Sequence, residues 1–177
     1  RGGTWRYLHP LHGENPNLPS NWYTDAYSPP SPPWADTPGG SADAVGFGKL
    51  GPNNEVTPRS IGVPDTNKAY TGYFRRSFTV SDPGLIKCLV LNMLRDDGAA
   101  VYLNGQEVYR TANLDPNATH FTLTTGPAVG GHTELSYFRS IIDVAKLRSG
   151  SNLLAVEVHQ QSASSTDLGL DVELVGY

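Results

Sequence analysis

The chain has 177 residues, a formal net charge of −4 at pH 7 and a single cysteine. That length suits one domain, large enough to fold without disulfide bonds. The 13 Lys and Arg against 17 Asp and Glu argue against a nucleic-acid binder, which needs a dense basic footprint. No apolar run approaches the ~20 residues of a transmembrane helix, so we expect a soluble monomer with no membrane partner.

The first 70 residues hold most of the 14 prolines. Only residues 4–8 alternate like a strand there, which predicts that Trp5 lies in the core. The run from Pro29 to Pro33 is followed at once by Trp34, so we interpret it as a stiff surface loop within the domain and not as a linker. This part is predicted to be rich in loops.

From Tyr70 onward, short runs of Val, Thr, Tyr and Phe bounded by turn residues predict strands at regular intervals. Asn104-Gly105 is a strong hairpin signal, because both central residues of a type I′ turn need positive φ. Cys88 lies among apolar neighbours and is expected in the core. The predicted strands cover residues 73–80, 85–94, 99–103, 106–110, 140–144, 153–158 and 168–175.

Around eight strands without a long helix predict an all-β fold. We expect a single β-sandwich of jelly-roll type over residues 1–177, with a loop-rich part over 1–70 and the core strands over 70–177. In the last two strands, alternation predicts inward-facing Leu154, Val156, Val158, Leu168, Leu170, Val172 and Leu174.

Three segments carry a family likeness: Tyr73-Phe-Arg-Arg-Ser-Phe-Thr-Val80, Asp96-Asp-Gly-Ala-Ala-Val-Tyr-Leu-Asn-Gly105 and Gly150-Ser-Asn-Leu-Leu-Ala-Val-Glu-Val-His159. In order and spacing they resemble the jelly-roll sugar-binding domain of the β-galactosidase type and the related galactose-binding-like modules. The likeness covers residues 70 to 177. It implies a carbohydrate-binding module of a secreted bacterial carbohydrate-active protein, although domains of this type are often purely structural.

Asp96 and Asp97 are adjacent carboxylates before Gly98, which lets the loop bend so that both side chains converge on one ligand. Hard oxygen pairs suit Ca²⁺ or sugar hydroxyls. The stretch is also similar to the protective-antigen-type lectin domains, which implies calcium held by the Asp-Asp pair. The alternative is turn chemistry, in which the carboxylates accept from backbone amides.

His159 and Gln160 open a polar loop that runs to Asp167 and is expected at a rim of the sandwich, where binding sites usually lie. By strand count it shares this rim with the loop over residues 94–98. A structural histidine bonded to a loop carbonyl is the alternative.

Aromatic residues in the Pro-rich loops are candidate platforms for sugar rings, or else hydrophobic pins beneath those loops: Trp22, Tyr23 and Trp34. Three arginines can supply charge for an acidic polysaccharide, or are solvated strand residues: Arg75, Arg110 and Arg139. Three acidic residues are predicted to share an outward face, as a structural calcium site or a solvated surface: Glu157, Asp171 and Glu173.

The histidines lack H-x-x-x-H and H-E-x-x-H spacing, and no G-x-S-x-G motif is present. Together with the absence of these motifs, the resemblance implies a non-catalytic, secreted carbohydrate-binding module, covalently linked to catalytic or surface domains and targeting them to a polysaccharide. A structural or protein-interaction jelly roll is the alternative, and a small all-β glycan-cleaving enzyme is the third.

Overall fold

The computed structural model describes residues 4–10, 13–37, 45–47 (backbone only), 69–130, 133, 136–165 and 167–177. Within these ranges, no helix has the length and hydropathy to cross a membrane. Two short 3-10 turns occur, at Pro83–Leu85 and Val144–Lys146. The strands of the described ranges are β1 (Arg6–Leu8), β2 (Ala35–Asp36), β3 (Val45–Phe47), β4 (Thr71–Val80), β5 (Leu89–Asp96), β6 (Gly98–Leu103), β7 (Gln106–Arg110), β8 (Phe138–Ile142), β9 (Gly150–His159) and β10 (Leu168–Gly176).

The strands form two antiparallel sheets, which confirms the predicted β-sandwich. One sheet has the order β2-β1-β4-β9-β6-β7, and the other has the order β3-β10-β5-β8. In the larger sheet, β9 lies at the centre and pairs along its whole length with β4. Strand β9 therefore has a neighbouring strand on each side, β4 and β6, and the outer face of all three points away from the smaller sheet.

The main hydrophobic core lies between the sheets. The predicted alternation of β9 and β10 is confirmed, because Leu154, Val156 and Val158 pack with Leu168 and other inward residues of β10. Trp5 is 1% exposed and belongs to the same core. The guanidinium of Arg76, on the inward face of β4, lies 5.9 Å from the Trp5 ring centroid, so the ring faces its charge.

A second apolar cluster covers the outer face of the larger sheet. Trp22 and Trp34 of the N-terminal loops, together with Leu8 of β1 and Leu114, pack there on outward-pointing side chains of the sheet. These side chains are Tyr73 of β4, Ala100 and Tyr102 of β6, and Ala155 of β9. A sheet buried on both faces explains why strands such as β6, with every residue buried, read as continuous apolar runs. The described residues of the N-terminal part thus form a third layer on this sheet.

Arg75 attaches this layer to the sheet, which corrects the expectation of a solvated or polysaccharide-binding residue. The side chain is 7% exposed. Its Nη1 donates to the carbonyl of Trp22 at 2.5 Å, and Nη2 donates to the carbonyl of Thr24 at 3.0 Å. Removal of the guanidinium would leave loop carbonyls without donors.

Local predictions are met in part. Asn104 and Gly105 have φ of 52° and 81°, as the type I′ hairpin requires. The strand predicted over residues 85–94 instead begins at Leu89, after the 3-10 turn, and Cys88 is half-buried outside the core. Strands β2 and β3 were not predicted, because two or three residues carry too little alternation.

Candidate ligand-binding cleft

Three side chains from the centre of the larger sheet form the floor of an open cleft. Tyr73 on β4 lies directly opposite Glu157 on β9, and Tyr102 on β6 lies opposite Ala155. All three lie on the outer face, in the gap between two covering loops. The register of the strands therefore places a carboxylate between two phenol rings.

The walls of the cleft come from two segments, residues 15–23 and residues 118–121. The cleft has a volume of about 670 Å³. Its described lining residues are Asn15, Pro16, Asn17, Leu18, Pro19, Ser20, Trp22, Tyr23, Tyr73, Tyr102, Ala118, Thr119, His120, Phe121 and Glu157. The walls are thus a mixture of aromatic rings, proline and small polar groups.

The carboxylate of Glu157 is held by a donor on the floor. The hydroxyl of Tyr102 donates to Oε1 at 2.8 Å, and burial followed by the charge of Glu157 raises the pKa of Tyr102 above its ordinary value. Arg110 is not one of the residues that line the cleft. Its Nη2 lies 3.9 Å from Oε1 of Glu157. Its closer partner is Glu107, at 3.0 Å and 2.6 Å.

Tyr73 and His120 form a second polar pair in the cleft. The Tyr73 hydroxyl is 3.2 Å from Nδ1 of His120. Burial, together with the charge of Glu157, raises the pKa of Tyr73. Burial lowers the pKa of His120 to about 4, so at neutral pH both groups are uncharged hydrogen-bonding partners.

His159 lies beside the floor, on the same face of β9 as Glu157, and is fully buried. Its Nδ1 is 3.0 Å from Oγ1 of Thr71 and 2.8 Å from the carbonyl of Thr122. Its Nε2 is 3.6 Å from Oε2 of Glu157. His159 thus matches the alternative of a structural histidine bonded to a loop carbonyl. Because the side chain is fully buried, it cannot contact a ligand directly in this conformation.

The predicted meeting of the two rim loops is confirmed. Asp97 donates its N–H to the carbonyl of His159 at 3.3 Å. Its carboxylate accepts from the backbone N–H of Val129 at 2.6 Å and of Gln161 at 2.7 Å. Asp97 therefore ties three loops together in the manner of the turn-chemistry alternative.

These contacts do not suit a calcium ligand. Both oxygens of Asp97 face N–H groups, and Asp96 and Asp97 are 2% and 1% exposed. Nowhere in the described ranges do three or more His, Cys, Asp or Glu side chains converge on a possible metal position. Calcium at Asp96 and Asp97 stays a prediction of the sequence.

Gln160 is also buried, at 1% exposed. Its side-chain amide makes no hydrogen bond within the described part of the chain, while its backbone bonds to Tyr70 and Thr124. Like His159, it lies at the predicted rim but away from solvent, so it cannot contact a ligand without rearrangement.

Of the three aromatic candidates, Trp34 lies outside the cleft, whereas Trp22 and Tyr23 line it. Trp34 is 1% exposed, stacks on Trp22 and lies outside the cleft, which corrects the expectation of an exposed platform. Trp22 is 6% exposed and reaches the cleft only at its edge. Tyr23 is half-buried in the wall, stacked on Tyr102 with centroids 4.2 Å apart.

The three acidic residues predicted to share a face are separated by the sandwich. Glu157 faces the cleft from the larger sheet, whereas Asp171 and Glu173 lie on β10 of the smaller sheet. Asp171 accepts from the hydroxyl of Tyr137, and Glu173 accepts from Asn92 at 3.1 Å. Arg139 is exposed and donates to the same Asn92 at 3.1 Å.

Tyr73, Tyr102, His120 and Phe121 were not singled out from the sequence. The alternation of β9 placed Glu157 on the face away from the core, but that face was expected to meet solvent. The missing information is that Trp22, Trp34 and neighbouring residues of the N-terminal part pack on this face.

No family model and no curated protein matches the chain. Among solved structures, it is similar to a β-glucuronidase from an uncultured Clostridium sp., with 17% identity, a TM-score of 0.45, and coverage of 90% of this chain and 21% of that one. An α-L-rhamnosidase from Streptomyces avermitilis has 27% identity and a TM-score of 0.40, over 61% and 9%. A β-D-mannosidase from Dictyoglomus thermophilum has 13% identity and a TM-score of 0.41, over 89% and 15%.

These three neighbours are glycoside hydrolases, and the chain spans between 9% and 21% of their length. At TM-scores below 0.5 the likeness assigns no family and no activity to this chain.

Proposed function

We propose that this domain is a non-catalytic carbohydrate-binding module and that the cleft over Tyr73, Tyr102 and Glu157 is its binding site. The observation that carries the proposal is that aromatic side chains and a hydrogen-bonded carboxylate line the same open cleft. In this proposal the module belongs to a secreted protein and directs linked domains to a glycan.

The walls suit a sugar ring. Sugars present C–H faces that pack on aromatic rings, while their hydroxyls need polar partners at the ring edges. Among the residues that line the cleft, Phe121 is 45% exposed and Tyr23 is half-buried. A volume of about 670 Å³ lies within the usual range of small-ligand sites.

The polar groups are already oriented. Tyr102 is bonded to Glu157, and Tyr73 is bonded to His120, so their rotamers are set before a ligand arrives. Pre-orientation lowers the entropy lost on binding.

Binding without bond cleavage is the simpler chemistry for this site. Glycoside hydrolysis by the common mechanisms needs two carboxyl groups facing one bond. Of the described residues that line the cleft, Glu157 alone carries a carboxyl group. The proposed module therefore holds a glycan and leaves its bonds intact.

Affinity electrophoresis against plant, algal and microbial polysaccharides tests the proposal. Wild type should be retarded by at least one polysaccharide, and Ser20→Trp, which fills the cleft from an exposed wall position, should abolish the retardation. Tyr137→Trp, on an exposed site of the other sheet, is the matched control and should bind like wild type.

Retardation that survives in Ser20→Trp, or no retardation across the whole panel, would overturn the proposal. Parallel gels with EDTA test the calcium prediction, which requires the retardation to vanish. Reducing ends released over time would point to the glycan-cleaving alternative.

A protein-interaction domain is the second candidate. Ile141 is 77% exposed on β8, an edge strand of the smaller sheet, and edge strands can pair with another chain. This candidate predicts that Ile141→Lys disrupts association with a linked domain while glycan retardation is unchanged.

A further inference from the structure

We propose that the cleft prefers a glycan with a protonated primary amine, such as an unacetylated amino sugar, over neutral and acidic sugars. This inference rests on the proposed function and names the ligand class of the same site. It follows from the hydrogen-bonding capacity of the floor, from the distribution of charge and from the arrangement of the rings.

The floor is rich in acceptors. A carboxylate has room for about four donors, and among the described residues Glu157 receives one hydrogen bond, from Tyr102. Its Oε2 is 3.6 Å from Nε2 of His159, which is too long for a hydrogen bond. The side chain is 9% exposed, so this remaining capacity lies at the base of the cleft.

The hydroxyl proton of Tyr102 is engaged in the same way. Tyr102 directs its proton to Glu157, and the Tyr73 hydroxyl is bonded to His120. A ligand that donates several hydrogen bonds therefore fits the floor better than one that mainly accepts. An ammonium group has three donors and no acceptor.

The charge near the floor is negative. None of the described residues that line the cleft is Lys or Arg. Arg110 is shared between two carboxylates, at 2.6 Å from Glu107 and 3.9 Å from Glu157, so one negative charge of the three groups is left uncompensated. A uronic acid would meet like charge, whereas an ammonium group would complete the balance.

The rings add to this preference. Trp22 lies edge-on to Tyr73 and Tyr102, with centroids 5.0 Å and 5.8 Å away, and Tyr23 stacks on Tyr102. Aromatic groups clustered around a carboxylate favour a cation through the negative faces of their π systems.

Isothermal titration calorimetry with matched oligosaccharides tests the inference, using oligomers of glucosamine, N-acetylglucosamine, glucose and glucuronic acid of equal length, at a pH where the amine is protonated. We expect at least about tenfold tighter binding of the glucosamine oligomer, as for one charge-assisted hydrogen bond. Glu157→Gln should remove this advantage, so that the affinity for the glucosamine oligomer no longer exceeds that for the glucose oligomer. The matched control Glu173→Gln, on the other sheet, should keep it.

Salt provides a second measurement on the wild type alone, in case Glu157→Gln does not fold. Added NaCl should weaken the binding of the glucosamine oligomer and leave the affinity for the glucose oligomer unchanged. Equal affinities for glucosamine and glucose oligomers, a preference for the glucuronic acid oligomer, or salt-independent binding would each overturn the inference, while leaving carbohydrate binding intact. No binding of any oligomer or polysaccharide would overturn both proposals.

Discussion

The hydroxyl of Tyr102 donates a 2.8 Å hydrogen bond to Oε1 of Glu157, between the neighbouring strands β6 and β9 of the larger sheet. Both residues are largely buried, and a hydrogen bond to a charged group contributes more than one between neutral groups. This pair therefore matters both for stability and for the shape of the floor.

Replacement of Tyr102 by Phe should lower the free energy of unfolding by about 1.5–3 kcal/mol, because a mostly buried carboxylate loses its donor. Urea denaturation measures the change. Tyr137→Phe removes the hydroxyl of a half-exposed tyrosine that also donates to a carboxylate, and it should cost less. Equal losses for the two variants would show that the Tyr102–Glu157 bond has no special weight.

Trp34→Ala should destabilise the protein by about 3–5 kcal/mol, the usual cost of removing a large buried aromatic residue. Trp34 packs on Trp22, and its Nε1 donates to the hydroxyl of Tyr27 at 3.1 Å. Thermal unfolding followed by circular dichroism tests this. A Trp34→Ala variant with wild-type stability and lost glycan binding would show instead that Trp34 is an exposed platform.

Asp97→Asn should cost about 1–3 kcal/mol. The amide group of Asn would direct its NH₂ at the backbone N–H of either Val129 or Gln161, both of which now donate to Asp97. Chemical denaturation of this variant beside Asp171→Asn, on the outer face of the smaller sheet, gives the comparison. If Asp97→Asn were neutral for stability but abolished calcium-dependent binding, the ligand role predicted from sequence would return.

Stability should fall as the pH falls below about 6.5, the ordinary pKa of histidine. Burial lowers the pKa of His9 to about 3 and that of His120 to about 4, so the unfolded chain binds more protons than the folded one between these values and 6.5. The contribution is present in full above pH 6.5 and is lost progressively towards pH 4 and below, with a slope of at most about 1.4 kcal/mol per pH unit for His9.

Urea midpoints measured across this pH range test the effect. His9→Gln, which cannot take up a proton, should show a shallower decline than wild type. A decline of the same steepness in both proteins would assign the acid sensitivity to other groups.

The sandwich was predictable because its central strands carry strong local signals. Alternation along β9 and β10 and the Asn104-Gly105 turn each arise from a short stretch of chain. The observed faces and the positive φ values match them.

The site was less predictable, because it depends on contacts distant in sequence. From the sequence alone, Glu157 resembles a solvated strand residue. In the structure, Trp22 and its neighbours pack on the same face of the sheet and are held there by Arg75. Asp97 and His159 were correctly expected to lie near each other. Their proximity does not reveal that the carboxylate of Asp97 and the ring of His159 both make hydrogen bonds with loop backbone groups. The sequence pattern is the same for a ligand-binding and a loop-tying carboxylate.

Chemical-shift mapping by NMR tests the central claim most directly. A ¹⁵N-labelled sample would be titrated with an oligosaccharide from whichever glycan retards the protein, with the glucosamine oligomer as the first choice. We predict that the largest backbone shifts cluster at residues 15–23 and 118–121 and on the floor at Tyr73, Tyr102 and Glu157. Shifts confined to residues 160–167 or to the outer face of the smaller sheet would contradict the assignment of this cleft as the binding site.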